Sequence, residues 1–371
     1  MIKKSKTAAS NEEAPKLPSK KKELEKLLDS IRSKYKDSSV VSFASEKPRS
    51  LTLWSDIPAF DGITGGFPLG RIVEFVGPES STKSYMAYTM IARFQSEEFL
   101  SSAKKLFKDA GIAVNPEDLM PVLIDVEGTY TKEWGERVFG IDNERLIYVQ
   151  PDSIEQSADI AQVFLQYPTT SLVCYDSMSY TGAKGEVEET ADKDQMAINA
   201  RFWNKTLRKF GGSMNKNKNI VRSLLMINSE YTKVSMYGGT ELKNGIQLRL
   251  SKSLSVKFRP VGRPETVNDI VVGRNYNIST LKNKTGVPFM EDSYHMSLED
   301  GPRKNKLNIE GQLISIASQY GIVKKSGSWY SYLGHKVQGQ EALVELLSKD
   351  LTALQELKDL VYHEIEATHR A

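Results

Sequence analysis

The sequence predicts an α/β protein with a mainly parallel sheet, a helix and strand ahead of it and a small α/β domain after it. Apolar strand-like runs alternate with helix-length segments, which is typical of parallel sheets covered on both faces. A phosphate-loop-like stretch follows the first run, and the pattern changes at residue 305. The runs are "RIVEFVG" (71–77), "PVLIDVE" (121–127), "RLIYVQ" (145–150), "SLVCYDS" (171–177) and "SLLMINS" (223–229).

The first part of the chain divides into two segments. Residues 1–21 are polar, lysine-rich and contain two prolines, which predicts a disordered basic arm, either a solvated tail or a DNA-touching one. Residues 22–50 carry leucines at helical spacing and then the β-branched run "SSVVSF", so we expect a helix and a strand. These two elements have little core of their own, and they must dock on this chain or on a neighbour.

The rest of the chain divides into a sheet-bearing core, residues 51–304, and a C-terminal α/β domain, residues 305–371. The second of these contains the helix-like "IEGQLISIASQY", the hairpin-like "GSWYSY" and a final leucine-rich stretch. This order of helix, hairpin and helices predicts a separate small domain.

Composition sets the outer limits. Of 371 residues, 39% are hydrophobic and 26% charged, as in soluble globular proteins. The single cysteine, Cys174, excludes a disulfide framework and a cysteine metal cluster, so a reducing, cytoplasmic setting is expected. We expect neither a membrane span nor a secretion signal. The net charge of +3 is too small to establish a nucleic-acid partner by itself.

The stretch "GPESSTKS" (77–84) nearly matches the phosphate-loop signature G-x-x-x-x-G-K-[ST], but Thr82 stands where a glycine is usual. In such a loop, backbone N–H groups wrap a triphosphate, Lys83 reaches the outer phosphates and Ser84 holds Mg²⁺. A chance glycine turn is the alternative. The predicted cofactor-binding residues here are Gly77, Pro78, Glu79, Ser80, Ser81, Thr82, Lys83, Ser84 and Tyr85.

Two carboxylates close neighbouring strand-like runs. Asp176 ends "SLVCYDS", where an acidic residue would lie beside the magnesium, so Ser84 and Asp176 are the predicted metal ligands. Glu127 ends "PVLIDVE" and is the candidate to orient or deprotonate a hydrolytic water, whereas Asp125 lies deeper on the same face. A helix-capping or salt-bridged carboxylate is the alternative for Glu127.

These motifs together resemble the family of the bacterial RecA recombinase and its phage relatives of the UvsX type, over residues 22–350. The resemblance rests on "GFPLGRIVEFVGPESSTKS", "IDVEG", "CYDS", the paired-lysine segment "LKNKTGVPF" (281–289), the hairpin "SGSWYSYLG" (326–334) and the arm-like "IRSKYKDSSVVSF". It implies a RecA-like P-loop ATPase core with an N-terminal polymerisation arm.

The resemblance also assigns roles. Lys83 and Glu127 would be catalytic together with Lys282 and Lys284, which would reach the ATP of the neighbouring subunit. Trp134 would lie against the adenine, although one residue is inserted between it and Gly140; a core tryptophan is the alternative. Asp176 and Ser177 would support the metal, so ATP and Mg²⁺ are the implied cofactors.

DNA would meet two polar segments, residues 180–195 and 229–245. Glycine with interspersed lysine and tyrosine suits backbone contact and base stacking, but it is also typical of ordinary loops. The predicted DNA-binding residues are Lys184, Lys233, Tyr237, Gly238, Gly239 and Lys243. Ser229 stands where bacterial members carry a γ-phosphate-sensing glutamine, which puts the coupling between nucleotide and DNA in question.

The resulting hypothesis is a DNA-dependent ATPase that forms a homo-oligomeric helical filament on single-stranded DNA and promotes homologous pairing and strand exchange. Its expected partners are single- and double-stranded DNA, with single-strand-binding and loader proteins, in the cytoplasm of a bacterium or of a phage-infected host. The alternatives are a non-hydrolysing, ATP-binding accessory protein that coats DNA, favoured by Thr82 and Ser229, and a small-molecule P-loop kinase.

Overall fold

The computed structural model describes residues 20–35, 41, 51–178, 192–214, 220–232, 240–242, 245–298 and 306–370. Its strands are β1 (Thr52–Leu53), β2 (Phe67–Pro68), β3 (Ile72–Gly77), β4 (Met120–Asp125), β5 (Ile147–Val149), β6 (Thr170–Asp176), β7 (Ser223–Thr232), β8 (Thr240–Leu242), β9 (Leu254–Val267), β10 (Ile270–Asn283), β11 (Glu291–Ser297), β12 (Lys306–Leu307), β13 (Lys324–Ser326), β14 (Trp329–Tyr332) and β15 (His335–Gln338). Its α-helices are α1 (Lys20–Tyr35), α2 (Pro58–Thr64), α3 (Lys83–Arg93), α4 (Glu97–Ala110), α5 (Lys132–Trp134), α6 (Ile154–Phe164), α7 (Asp192–Met214), α8 (Gly245–Ser251), α9 (Ile309–Gln319), α10 (Gln340–Ser348) and α11 (Leu351–Arg370).

The predicted parallel sheet is confirmed. Strands β9, β3, β7, β6, β4 and β5 lie side by side in this order and all pair in parallel. Every residue of β3 and β6 is buried, as expected for strands that are covered on both faces.

An antiparallel extension continues the sheet beyond β9. Strands β9 and β10 form a long hairpin, followed by β11 and β12 in antiparallel order. The hairpin turns at Asn268 and Asp269, which both have positive φ, as tight hairpin turns require. The strand-like runs of the sequence did not include this hairpin.

Helices cover the two faces of the sheet. One apolar cluster joins α3 and α4 to sheet residues such as Phe75 and Ile227. The other joins α6 and α7 to residues such as Leu224 and Met226, which alternate with the first set along β7. No helix of the described chain combines the length and apolar character needed to cross a membrane.

A third apolar cluster forms the core of the small domain. It brings together α9, α10, α11 and the sheet β13–β14–β15, in agreement with the predicted order of helix, hairpin and helices. Helix α11 also contacts α2 of the core, where the hydroxyl of Tyr362 donates to Asp61 at 2.9 Å.

Helix α1 belongs to a separate compact unit, residues 1–49, and the remaining chain from Ser50 onwards forms the other unit. Leu24 and Leu27 of α1 are 43% and 54% exposed, so much of its predicted apolar face is open. The predicted strand at 38–43 lies, apart from Val41, outside the described residues.

Candidate nucleotide site

The phosphate-loop residues connect β3 to α3, as the sequence predicts. A Cβ atom on Gly77 would collide with the backbone oxygen of Phe258, so only glycine fits at the start of the loop. Ser80 and Thr82 have φ angles of 54° and 70°, in the left-handed region. The first N–H groups of α3 follow directly, which makes the loop and helix N-terminus suited to an anion.

Thr82 is accommodated by a partner far away in the sequence. Its hydroxyl forms a hydrogen bond with the hydroxyl of Tyr294 on β11. Tyr294 is 3% exposed and stacks on Tyr276, with 5.7 Å between ring centroids. The hydroxyl contact therefore anchors the one loop position at which the sequence departs from the usual glycine.

Lys83 lies under the loop with its ammonium group against the loop backbone. Nζ donates to the carbonyl oxygen of Pro78 at 2.6 Å. Burial lowers the pKa of Lys83, while the charges of Asp176, Glu127 and Glu79 act in the opposite direction. A buried ammonium group is suited to bind an anion, since the anion would offset its desolvation.

Asp176 and Ser84 fit the predicted metal site. Among the described atoms, Oδ2 of Asp176 is buried and has no hydrogen-bond partner, which leaves an oxygen available to a cation. Burial raises the pKa of Asp176 to about 7, against a hydrogen bond from Ser84. Among the described residues, no group of three or more histidine, cysteine or acidic side chains is arranged to hold a metal ion. Two protein oxygens, with phosphates and water, suit Mg²⁺.

Glu127 lies two residues beyond the end of β4 and is exposed. The hydroxyl of Ser177 donates to its Oε1 at 2.7 Å. Asp125 organises the turn around it, because its carboxylate accepts from the backbone N–H groups of Gly128 at 2.9 Å and Tyr130 at 2.8 Å. The sequence did not reveal this positioning role of Asp125.

The ends of neighbouring strands bring these side chains together. Asp125 is in register with Asp176, and Gly77 with Ser229, in adjacent parallel pairs. The carboxyl ends of β3, β4 and β6 and the nearby Ser229 of β7 therefore lie at the same end of the sheet, which is where ligands bind in such folds.

Glu79 and Tyr85 are less directly involved. Glu79 is exposed, whereas the ring of Tyr85 packs against Phe139 with 4.9 Å between centroids. Burial raises the pKa of Tyr85 to about 12, against its hydrogen bond to the backbone of Leu307. The side chain of Tyr85 thus packs in an aromatic group and does not line the loop.

Trp134 is partly buried in the same aromatic group, with its ring 5.5 Å from that of Tyr88. A π-helical turn, Gly135–Phe139, follows it and ends at Gly140 with φ 72°, in the segment where the resemblance implies one inserted residue. Such turns accommodate one extra residue in a helix and are frequent at functional sites.

Lys282 and Lys284 are not brought together with the other site residues. Asn283, between them, is in register with Leu254, and Leu254 with Val73 at the start of β3. The phosphate loop begins four residues further along β3, about 13 Å away at about 3.3 Å per residue, and at the opposite sheet edge.

The two lysines belong to a cationic group. Burial lowers the pKa of Lys282, and the neighbouring charges of Lys284, Lys252 and Arg249 act in the same direction. Exposed apolar side chains lie in the same part of the chain: Leu250 is 61% and Phe289 is 81% exposed. This combination of charge and apolar surface suits contact with another molecule.

The predicted DNA-binding residues Lys184, Lys233, Tyr237, Gly238, Gly239 and Lys243 lie outside the described residues. The structure describes the residues on either side of these two segments. Segment 180–195 comes shortly after Asp176, and the second segment continues from Ser229. The next residue, Glu230, forms ion pairs with Lys257 and Arg259 on β9.

Comparisons with known proteins give one consistent result. Residues 22–302 match the RecA N-terminal domain and residues 311–366 the RecA C-terminal domain. Protein RecA of Bacillus subtilis is 31% identical over 77% of this chain and 74% of that protein. Protein RecA of Clostridioides difficile is 31% identical over 80% of this chain and 78% of that protein. Protein RecA of Wigglesworthia glossinidia brevipalpis is 28% identical over 89% of this chain and 93% of that protein.

Proposed function

Because this chain belongs to the RecA family of recombinases, DNA-dependent ATPases of DNA recombination and repair, we propose that ATP binds between neighbouring subunits of its filament. The filament would form on single-stranded DNA and promote homologous pairing and strand exchange. Hydrolysis of the bound ATP would release the DNA.

The separation of Lys282 and Lys284 from the phosphate loop carries this proposal. Within one chain the two lysines lie at the sheet edge opposite Gly77. Charge that develops on a transferring phosphoryl group is stabilised only by groups in close contact. The placement supports lysines that serve the nucleotide of the next subunit, and the exposed Leu250 and Phe289 give that contact an apolar rim.

The chain's own residues supply the remaining chemistry. Backbone N–H groups after Gly77 bind the phosphates, Lys83 neutralises their charge, and Ser84 and Asp176 hold Mg²⁺. Glu127, oriented by Ser177, aligns a water for in-line attack and accepts its proton. Mg²⁺ held by Ser84 and Asp176 would offset the negative charge of the phosphates.

Trp134 would bind the adenine base. Its ring is only partly buried, which leaves surface for stacking, and the π-helical turn after it preserves Gly140 as the helix end. A core tryptophan packed against Tyr88 is the alternative role.

DNA contact is proposed for the segments 180–195 and 229–245, including the six residues predicted from the sequence. Two observations support it. The first segment starts four residues beyond Asp176 at the end of β6, and the second starts at Ser229, which is in register with Gly77, so nucleotide and DNA can influence one another. The exposed face of α7, which follows the first segment, is basic and carries Arg201, Lys205, Arg208 and Lys209.

Assembly would use α1 as a polymerisation arm. Its exposed leucines contribute little stability while they face water. Once a neighbouring chain covers them, each fully buried side chain stabilises the contact by about 1.5–3 kcal/mol. The alternative, in which α1 packs within its own chain, predicts no change in assembly when the arm is removed.

ATP hydrolysis measured with and without single-stranded DNA tests the proposal. Strong stimulation by DNA is expected for the recombinase. ATP binding without turnover would instead support the non-hydrolysing accessory protein, and turnover that ignores DNA would support a small-molecule kinase.

A further inference from the structure

The end of α11 contacts the turn that carries the paired lysines. Nδ1 of His369 accepts a hydrogen bond from the backbone N–H of Val287 at 3.1 Å. Nε2 lies 2.9 Å from the carbonyl oxygen of Gly62, which can only accept. The ring must therefore be neutral, with its proton on Nε2, to make both contacts.

Two glycines make room for the ring. A Cβ atom on Gly65 would lie 2.8 Å from Cγ of His369, and one on Gly286 would collide with Nδ1. Gly65 also has a φ of 73°, which favours glycine independently. The imidazole thus fits between the end of α2 and the turn after β10 with no space for larger neighbours.

The turn is anchored to α2 from its other side by Asn283. Nδ2 of Asn283 donates to the carbonyl oxygen of Thr64 at 2.9 Å, and its Oδ1 accepts from the N–H of Thr285 at 3.0 Å. Asn283 lies directly between Lys282 and Lys284. The position of both lysines therefore depends on two anchors, Asn283 and His369.

We propose that His369 is a positioning residue for Lys282 and Lys284, through which α11 controls ATP hydrolysis at the contact between subunits. This inference rests on the proposed shared site. A proton on Nδ1 would face the N–H of Val287 donor to donor, so the contact would be lost and the turn released. Acid would therefore slow hydrolysis without emptying the nucleotide site.

The surroundings of His369 agree with this behaviour. Burial lowers the pKa of His369 below its usual 6.5, so the neutral ring persists at neutral pH. Helix α2 contributes one ionisable residue, Asp61, whose carboxylate accepts a hydrogen bond from Tyr362. The turn after β10 contributes Lys284. On α11 itself the neighbours are Glu366 and Arg370, which pair with each other.

The test compares three variants by DNA-stimulated ATP hydrolysis between about pH 5.5 and 8. His369→Ala should lower kcat several-fold at neutral pH, leave KM for ATP unchanged and show a smaller acid-side decline than the native chain, because only the contribution of Asp176 remains. His369→Gln can accept from Val287 and donate to Gly62 without titrating, so it should keep most of the activity and show the same smaller decline. His363→Ala, at an exposed histidine of the same helix, is the matched control and should behave as native.

Thermal unfolding separates positioning from a loss of fold, and hydrogen exchange at the Val287 amide reports the contact itself. Faster exchange in His369→Ala with native kcat, or an unchanged acid-side decline, would overturn the inference. If the native chain shows no DNA-stimulated hydrolysis at all, the proposed function fails as well, so the two failures are distinguishable.

Discussion

The hydroxyl of Thr82 in the phosphate loop is hydrogen-bonded to the hydroxyl of Tyr294, 212 positions away in the chain. Thr82 has φ 70° and ψ 13°, a left-handed conformation that a β-branched residue adopts only at a cost. The buried tyrosine holds the threonine in this conformation. The departure from the usual glycine is thereby matched by a second residue in the core.

The contact between Thr82 and Tyr294 predicts that the effect of substituting Tyr294 depends on which residue stands at position 82. Tyr294→Phe should raise KM for ATP several-fold and lower stability by about 1 kcal/mol, because the threonine loses its anchor. Thr82→Gly should be tolerated, with turnover several-fold faster if the threonine restrains the loop. In the Thr82→Gly background, Tyr294→Phe should leave KM unchanged, since glycine needs no anchor.

The double-mutant cycle of KM values measures this coupling. Tyr276→Phe, in the stacked neighbour, is the control and should keep native KM. Equal effects of Tyr294→Phe in both backgrounds would mean that the tyrosine acts only on stability.

The parallel sheet and the phosphate loop could be predicted because their signals are local. Continuous apolar runs correspond to β3, β4, β6 and β7, and the loop follows β3 directly. The β9–β10 hairpin could not, because Pro260, Gly262 and Pro264 interrupt its first strand and usually argue against a strand. The run at 145–150 gave only the three-residue edge strand β5.

The candidate site was predictable where a motif defines it and not where distant contacts do. Lys83, Glu127 and Asp176 follow from strand ends and motif spacing, and the structure brings them near one another. Tyr294 and His369 have no local signal, since Tyr294 contacts a residue 212 positions away and His369 contacts one 307 positions away. The resemblance implied an inserted residue after Trp134, but it did not predict the π-helical turn found there.

Lys83→Ala should abolish ATP binding or turnover, because it removes the ammonium group beside the phosphates. The fold should survive, since burial already disfavours the charge of this lysine. Binding of a fluorescent ATP analogue and urea unfolding measure the two effects. Lys104→Ala on the exposed face of α4 is the control, and native ATP turnover in Lys83→Ala would remove the phosphate-loop assignment.

Asp61 should make the protein less stable as the pH rises. Its pKa is raised from 3.8 to about 7, chiefly by burial. A carboxyl whose folded pKa lies above its unfolded value contributes stability below the unfolded pKa, and this is lost as pH rises through the folded pKa. The shift corresponds to roughly 4 kcal/mol, and Asp176, with a similar shift, adds in the same direction.

Asp61→Asn should therefore reduce the fall in unfolding free energy between about pH 4 and pH 7, the interval between the unfolded and folded pKa values of Asp61. Urea unfolding at both values, native against variant, gives the difference. Asp359→Asn on the exposed side of α11 is the control, and an unchanged pH dependence in Asp61→Asn would place the titration elsewhere.

Removal of residues 1–45 should leave a folded chain that no longer forms filaments. The unit from Ser50 onwards has its own apolar clusters, so its fold does not require α1. Leu27→Asp should shorten filaments in the full chain, whereas Glu25→Ala, also exposed on α1, should not. Electron microscopy measures filament length, and native filaments after the deletion would mean that α1 takes no part in assembly.

The last prediction concerns the division of the active site between chains. Glu127→Gln alone, or Lys282→Ala with Lys284→Ala, should nearly abolish DNA-stimulated hydrolysis, because each removes one half of the site. In an equal mixture, an intact Glu127 meets intact lysines at about a quarter of the contacts if the chains assemble at random. Partial recovery of hydrolysis is therefore expected.

A mixture of Glu127→Gln with Lys83→Ala is the control, because both residues belong to the same half and no contact regains them together. Recovery in the control as well would show that Glu127 and Lys83 also act on the nucleotide of a neighbouring chain, so the division would not be specific to Lys282 and Lys284. A first mixture that stays inactive, despite co-assembly and native DNA binding, would mean that Lys282 and Lys284 do not serve a neighbour's nucleotide.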